Sequence, residues 1–98
     1  MNSYDLECRF DSRASFYGKA IVEIVEDNIC YNEVLKSYGT LVAIYTKDKM
    51  SNLEQFTYNG KYSQTTTRHQ KEFFKQHGLS DKEIKELFDK GILEREVI

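Results

Sequence analysis

Residues 62–78, YSQTTTRHQKEFFKQHG, restrict the fold most tightly, because polarity along them is sorted by helical angle. At about 100° per residue, Thr66, His69, Gln70, Phe73, Phe74 and His77 share one side. Arg68, Lys71 and Lys75 share the other. The spacing predicts a helix that buries one stripe and holds three cations in water. Gly78 follows where a left-handed C′ residue ends such a helix, and Leu79 is placed to fold back on Phe74.

A second helix is punctuated in the same way. Ser80-Asp81-Lys82-Glu83 is a capping box, with Asp81 and Glu83 at the positive end of the helix dipole and Lys90 at its negative end. Gly91 is its expected left-handed terminus, with Ile92 expected to pack back on Leu87. The apolar face is only Ile84, Leu87 and Phe88, so this short helix must dock on something larger.

Before residue 62 the period is two. Leu6, Cys8 and Phe10 alternate with Glu7, Arg9 and Asp11, predicting a strand that ends near Asp11. Ala20, Val22 and Ile24 alternate with Lys19, Ile21 and Glu23, predicting another that stops at 26–28. Residues 29–38 mix both parities. Tyr38-Gly39-Thr40 reads as a tight turn into the β-branched run LVAIY at 41–45, and KDKMSN as a polar loop. Asn59-Gly60, between Phe56–Tyr58 and Lys61–Ser63, predicts a hairpin through a type I′ turn. The expected class is α+β in a single domain over 1–98: an antiparallel meander of four to five strands over 1–63, then two C-terminal helices over 64–91 packed on one face. Residues 92–98 form a tail or an edge strand.

A chain of 98 residues buries roughly two-thirds of its unfolded surface, enough for one core. No apolar run approaches the ~18 residues of a membrane span, and no signal-peptide pattern opens the chain, so a cytoplasmic protein is expected. Two cysteines fit a reduced compartment better than a disulfide scaffold. The net charge of −2 hides an uneven distribution: 1–33 is acidic, 34–79 basic and 80–98 acidic. No whole-protein field for capturing nucleic acid is present, so free nucleic acid is not expected to bind tightly.

Three chemistries compete for the polar residues. Arg68, Lys71 and Lys75, with Thr65, Thr66 and Thr67 at the helix start, have the types that contact phosphate. A solvated helix face capped by Ser63 or Thr65 explains the same pattern. Cys8, Cys30, His69 and His77 are tetrahedral zinc donors, but their spacing matches no familiar finger. The two histidines are eight residues apart, about 12 Å along one helix. One histidine with one or both cysteines and Glu72 or Glu33 is the arrangement left open. His69 and Glu72 lie at i, i+3, a spacing common by chance, and no nucleophile elbow, phosphate loop or zincin motif appears. Tyr17, Tyr31, Tyr38, Tyr45, Tyr58 and Tyr62 lie in or beside strands, where they form a base-stacking platform, a protein hot spot or the rim of a covered sheet.

The segments RFDSRASFYGKA (9–20), SYGTLVA (37–43) and YSQTTTRHQKEFFKQHG (62–78) together resemble a group of small proteins encoded by phages, prophages and plasmids of Gram-positive bacteria. The resemblance spans about residues 9–78, and TTTRHxxEF is its most specific part. It implies a mobile-element origin and carries over no catalytic residue. The chain departs from the pattern over 26–35, and its helix at 80–90 and tail look like additions. Small phage proteins without enzymatic motifs resemble stoichiometric inhibitors of host defence, including anti-CRISPR proteins.

The resulting expectation is a non-enzymatic, phage-encoded inhibitor that needs no cofactor, binds an RNA-guided nuclease and blocks its loading with nucleic acid. Its expected partner-binding residues are Arg68, Lys71, Lys75, Asp81, Glu83, Glu86 and Asp89. The alternatives are a small nucleic-acid-binding regulator of a mobile element and a zinc-stabilised interaction module.

Overall fold

The structure is a computed structural model describing residues 2–60 and 63–96. Six strands form one antiparallel sheet whose spatial order is the chain order: β1 (Asn2–Asp5), β2 (Ala20–Glu26), β3 (Cys30–Ser37), β4 (Thr40–Asp48), β5 (Leu53–Tyr58) and β6 (Ile92–Glu96). Helices α1 (Gln64–Gln76) and α2 (Asp81–Lys90) lie in the connection between β5 and β6. The α+β meander with two helices is therefore present, with six strands in place of four or five. Among the described residues, no helix is long and apolar enough to cross a membrane.

Both helices pack on one face of the sheet. Ala20, Val22, Leu35, Val42, Ala43, Tyr45 and Phe56 from the strands meet Phe73, Phe74, Leu79, Ile84 and Leu87 in a single core. Phe56, Phe73 and Phe74 are fully buried, and each contributes about 1.5–3 kcal/mol of transfer free energy. The side sorting of α1 holds: Thr66, His69, Gln70, Phe73 and Phe74 are buried, His77 is half-buried and Arg68 and Lys71 are exposed. Ser63 is the N-cap, its Oγ accepting from Thr66 N at 3.2 Å. At the other end Leu79 N donates to Phe74 O and Gly78 N to Lys75 O, the paired bonds of a Schellman motif. The capping box at Ser80 and Glu83 is also complete.

Three local expectations fail, each because a tertiary partner takes the backbone, and one unassigned stretch becomes a strand. Residues 6–11 are not a strand: the main-chain N–H groups of Arg9, Phe10 and Asp11 all donate to Glu72 Oε1, at 3.1, 2.8 and 2.9 Å. The first strand is instead the exposed β1, paired with β2. The mixed-parity stretch is β3, a central strand whose neighbour β4 carries a bulge at Val42. The carbonyl at that bulge accepts from Gln70 Nε2 at 2.9 Å and Asn59 N at 3.1 Å. The Asn59-Gly60 hairpin does not form, because both edges of β5 are already taken, by β4 and by β6. Lys61 and Tyr62 of that expected hairpin lie outside the described residues. Ile92, expected to fold back on Leu87, instead opens β6, pairs with Thr57 and is 42% exposed.

Candidate functional site

The helix-covered side of the sheet holds a cluster of ionisable groups centred on two buried carboxylates. Glu33 accepts from Tyr4 Oη at 3.0 Å and Tyr31 Oη at 2.9 Å, and its Oε1 lies 3.1 Å from His77 Nε2. Glu54 accepts from Tyr45 Oη and from Arg95 Nε at 2.8 Å. Arg95 also donates to the carbonyl of His77 at 2.6 Å, and its guanidinium lies over the Phe56 ring. The pattern follows from strand alternation. Residues 31 and 33 of β3, 45 of β4, 54 of β5 and 95 of β6 all point to the helix side, and His77 caps the end of α1 above them.

This cluster is chemically quiet. Burial pushes the Glu33 carboxyl up, but the bonds from His77, Tyr31 and Tyr4 outweigh it and hold it below the ordinary range. Glu54 follows the same balance, with Tyr45 and Arg95 as the lowering partners. The phenols move the other way: burial and the neighbouring carboxylate push Tyr31 up to about 12, and Tyr4 and Tyr45 further. Each carboxylate thus stays ionised and fully bonded, the opposite of a general acid or base poised near neutral pH.

His69 and His77 serve different places. His69 Nδ1 lies 2.8 Å from Ser37 Oγ, which also meets Thr66 Oγ1 at 3.0 Å. Burial lowers the His69 pKa and keeps the ring neutral. Ser37 is 2% exposed, so this Ser–His contact is a core hydrogen bond inaccessible to substrate. Cys8 is half-buried against the core, and Cys30 opens β3 at the sheet margin. Among the described residues no group of three or more His, Cys, Asp or Glu side chains is arranged to hold a metal ion. The proposed zinc donors Cys8, Cys30, His69 and His77 are therefore not assembled, and Glu72 is occupied by the 9–11 amides and by Gln76.

Most of the expected partner-binding charges are engaged within the chain, though only Lys75 and Asp81 pair with each other. Arg68 pairs with Asp11 at 3.6 Å, Lys75 with Asp81 at 3.4 Å and Glu86 with Lys90 at 3.0 Å. Glu83 closes the capping box and lies 3.9 Å from Arg95. Lys71 and Asp89 have no ion pair among the described residues. Among the described residues the tyrosines share no one platform. Tyr31, Tyr45 and Tyr58 point to the helix side, Tyr58 stacked on Phe88 at 4.3 Å. Tyr17 and Tyr38 stand exposed on turns, and Tyr62 lies outside the described residues.

The second face of the sheet is the surface that sequence reading missed. No described element covers it. The register places Glu23, Val34, Ile44, Thr57 and Ile92 in one row across five strands, flanked by Ile21 and Leu41 on one side and Val25 and Leu53 on the other. Among the described residues, Asp5, Glu23, Asp48, Glu94 and Glu96 share this face with two bases: Lys36, which is paired with Glu23, and Lys19 at its edge. Five carboxylates against two lysines give a local charge of −3 around an apolar centre. The signal was in the alternation of β2 and the tail, but it needed the pairing register to bring the odd and even positions together.

No curated protein and no solved structure matches this chain. A family model, described as a family of unknown function, matches residues 4–90, from β1 through the end of α2, so the second helix lies within the family pattern. With that share of its length matched, the chain belongs to the DUF8033 family.

Proposed function

We propose that this chain is a stoichiometric protein inhibitor of a host defence system, acting in the cytoplasm of a bacterium as an anti-CRISPR protein encoded by a phage or related mobile element. It works by binding and not by catalysis. The reading is carried by the uncovered sheet face, with its five carboxylates around an apolar row. RNA-guided nucleases hold their heteroduplex in a positively charged channel. A rigid acidic face with an apolar centre competes for such a channel: the carboxylates replace phosphate charge, and the apolar row supplies burial that a duplex lacks.

The nucleic-acid-binding alternative has less support, since two of the three cations on α1 already face carboxylates. The zinc-module alternative lacks an assembled donor set among the described residues.

The test mixes the purified protein with a panel of guide-loaded and guide-free RNA-guided nucleases at low salt. Expected are a stoichiometric complex by size exclusion and loss of DNA cleavage. Glu94→Lys with Glu96→Lys, both on exposed positions of β6, weakens the complex about tenfold or more and flattens its salt dependence. Absence of a complex across the panel at low salt overturns the reading.

A further inference from the structure

Two turns at one end of the sheet hold a tyrosine where the backbone disfavours it. Phe16-Tyr17-Gly18-Lys19 closes with Lys19 N donating to Phe16 O at 3.0 Å, and its central φ values are +53° and +74°. Ser37-Tyr38-Gly39-Thr40 joins β3 to β4 with central φ values of +52° and +81°. Both have the φ signs of type I′ turns, whose first central position normally takes Asn, Asp or Gly. A bulky residue there is a genuine outlier, because its Cβ crowds the backbone. The other left-handed non-glycine among the described residues is Asn52, a type that tolerates the conformation. The two turns are tied together, with Tyr38 N donating to Lys19 O at 2.8 Å.

Neither side chain offsets this strain by packing. Tyr17 is 76% exposed and makes no side-chain hydrogen bond or ring contact among the described residues. Tyr38 is 58% exposed, its ring 5.9 Å from that of His69. A depression of about 600 Å³ opens beside the turns, lined by Gly18, Lys19, Ile21, Lys36, Tyr38 and Gly39, and it runs onto the uncovered face of the sheet.

We infer that Tyr17 and Tyr38 are the anchoring contacts of this chain on a protein partner, retained for binding at the expense of the fold. This rests on the reading that the chain acts by binding a protein, and it names where the grip is strongest. Exposed tyrosines on rigid turns supply large contact area with little conformational freedom to lose, the character of binding hot spots. The partner has an apolar side chain for the depression and a basic group for Asp5, which pairs with Ile21 at its edge. A second copy of this chain does not fit, because two such faces at −3 repel.

The test pairs stability with binding, using Tyr17→Asn, Tyr38→Asn and the double variant. Asparagine relieves the left-handed strain, so each single variant melts about 4–8 °C higher than the wild type. A random peptide library displayed on phage is selected against the wild-type protein. The enriched peptides carry basic and apolar residues and bind the double variant about tenfold or more weaker. Three results overturn the inference: a Tm that falls or does not rise, peptides that bind the double variant as tightly, or no enrichment. Tyrosine-dependent binding of a labelled single-stranded oligonucleotide overturns the choice of a protein partner. No nuclease enters this assay, so failure of the inhibitor reading and failure of the anchor reading are told apart.

Discussion

The imidazole of His77 lies flat on the phenol ring of Tyr45, with centroids 4.0 Å apart and planes 18° from parallel. Its Nε2 meets Glu33 at 3.1 Å and its carbonyl accepts from Arg95, so the C-cap residue of α1 is bound to β3, β4 and β6 at once. His77→Ala removes both the stacked ring and one donor to Glu33. The expected loss is about 2 kcal/mol in urea denaturation. His77→Phe keeps the stack and recovers part of it. Equal losses in the two variants would show that the ring contact contributes nothing.

Stability is expected to fall on the acid side in two stages. Burial lowers the His69 pKa, so the fold favours the neutral ring; that contribution is present above the ordinary value of 6.5 and is lost as pH falls below it. Glu33 and Glu54 are held below the ordinary 4.5, so their contribution is present above that value and is lost as pH falls through the depressed one. Thermal melts should therefore show a level Tm between about pH 7 and pH 8, a decline below about pH 7 that steepens below about pH 4.5, and a second decline above about pH 10, where the phenols held neutral by the fold ionise in the unfolded chain. A Tm that rises between about pH 7 and pH 5 would reverse the sign of this account.

Glu72 organises a loop from inside a helix. One of its oxygens takes three consecutive amides and the other takes Gln76 Nε2 at 2.7 Å, although the residue is only 2% exposed. Glu72→Ala strands those amides and should cost about 2–4 kcal/mol, whereas Glu72→Gln keeps an acceptor and should cost about half as much. Hydrogen exchange at residues 9–11 should accelerate in the alanine variant ahead of the rest of the chain. Unchanged exchange there would remove Glu72 from this role.

The two faces of β3 and β4 should answer differently to truncation. Leu35→Ala on the helix side empties a fully buried position and should cost about 2–5 kcal/mol. Ile44→Thr, on the uncovered face, should cost under ~1 kcal/mol, because no described element packs there. Chemical denaturation of the two variants compares them directly. A loss at Ile44 as large as that at Leu35 would mean that the outer face is covered.

Much of the architecture was legible along the chain. The stripe in 64–76, the capping box at Ser80, the glycines at 78 and 91 and the alternation of 20–26 each report local physics that tertiary contacts then reinforced. The failures share one cause. Strand alternation at 6–11 and the Asn-Gly pair at 59–60 are local preferences, and each lost to a distant partner, Glu72 in one case and β6 in the other. The candidate surface was illegible for a related reason: its residues come from six strands, and only the pairing register brings them onto one face.

The sequence by itself determined which segments coil, where each helix starts and stops and which side of α1 turns inward, because these depend on neighbours within about one helical turn. Only the tertiary structure decided that Glu33 and Glu54 are buried with partners, that the acids at 5, 23, 48, 94 and 96 share a face, and that Tyr17 and Tyr38 stand on adjoining turns. Those facts depend on strand register, and register is fixed by which face of every strand the common core demands.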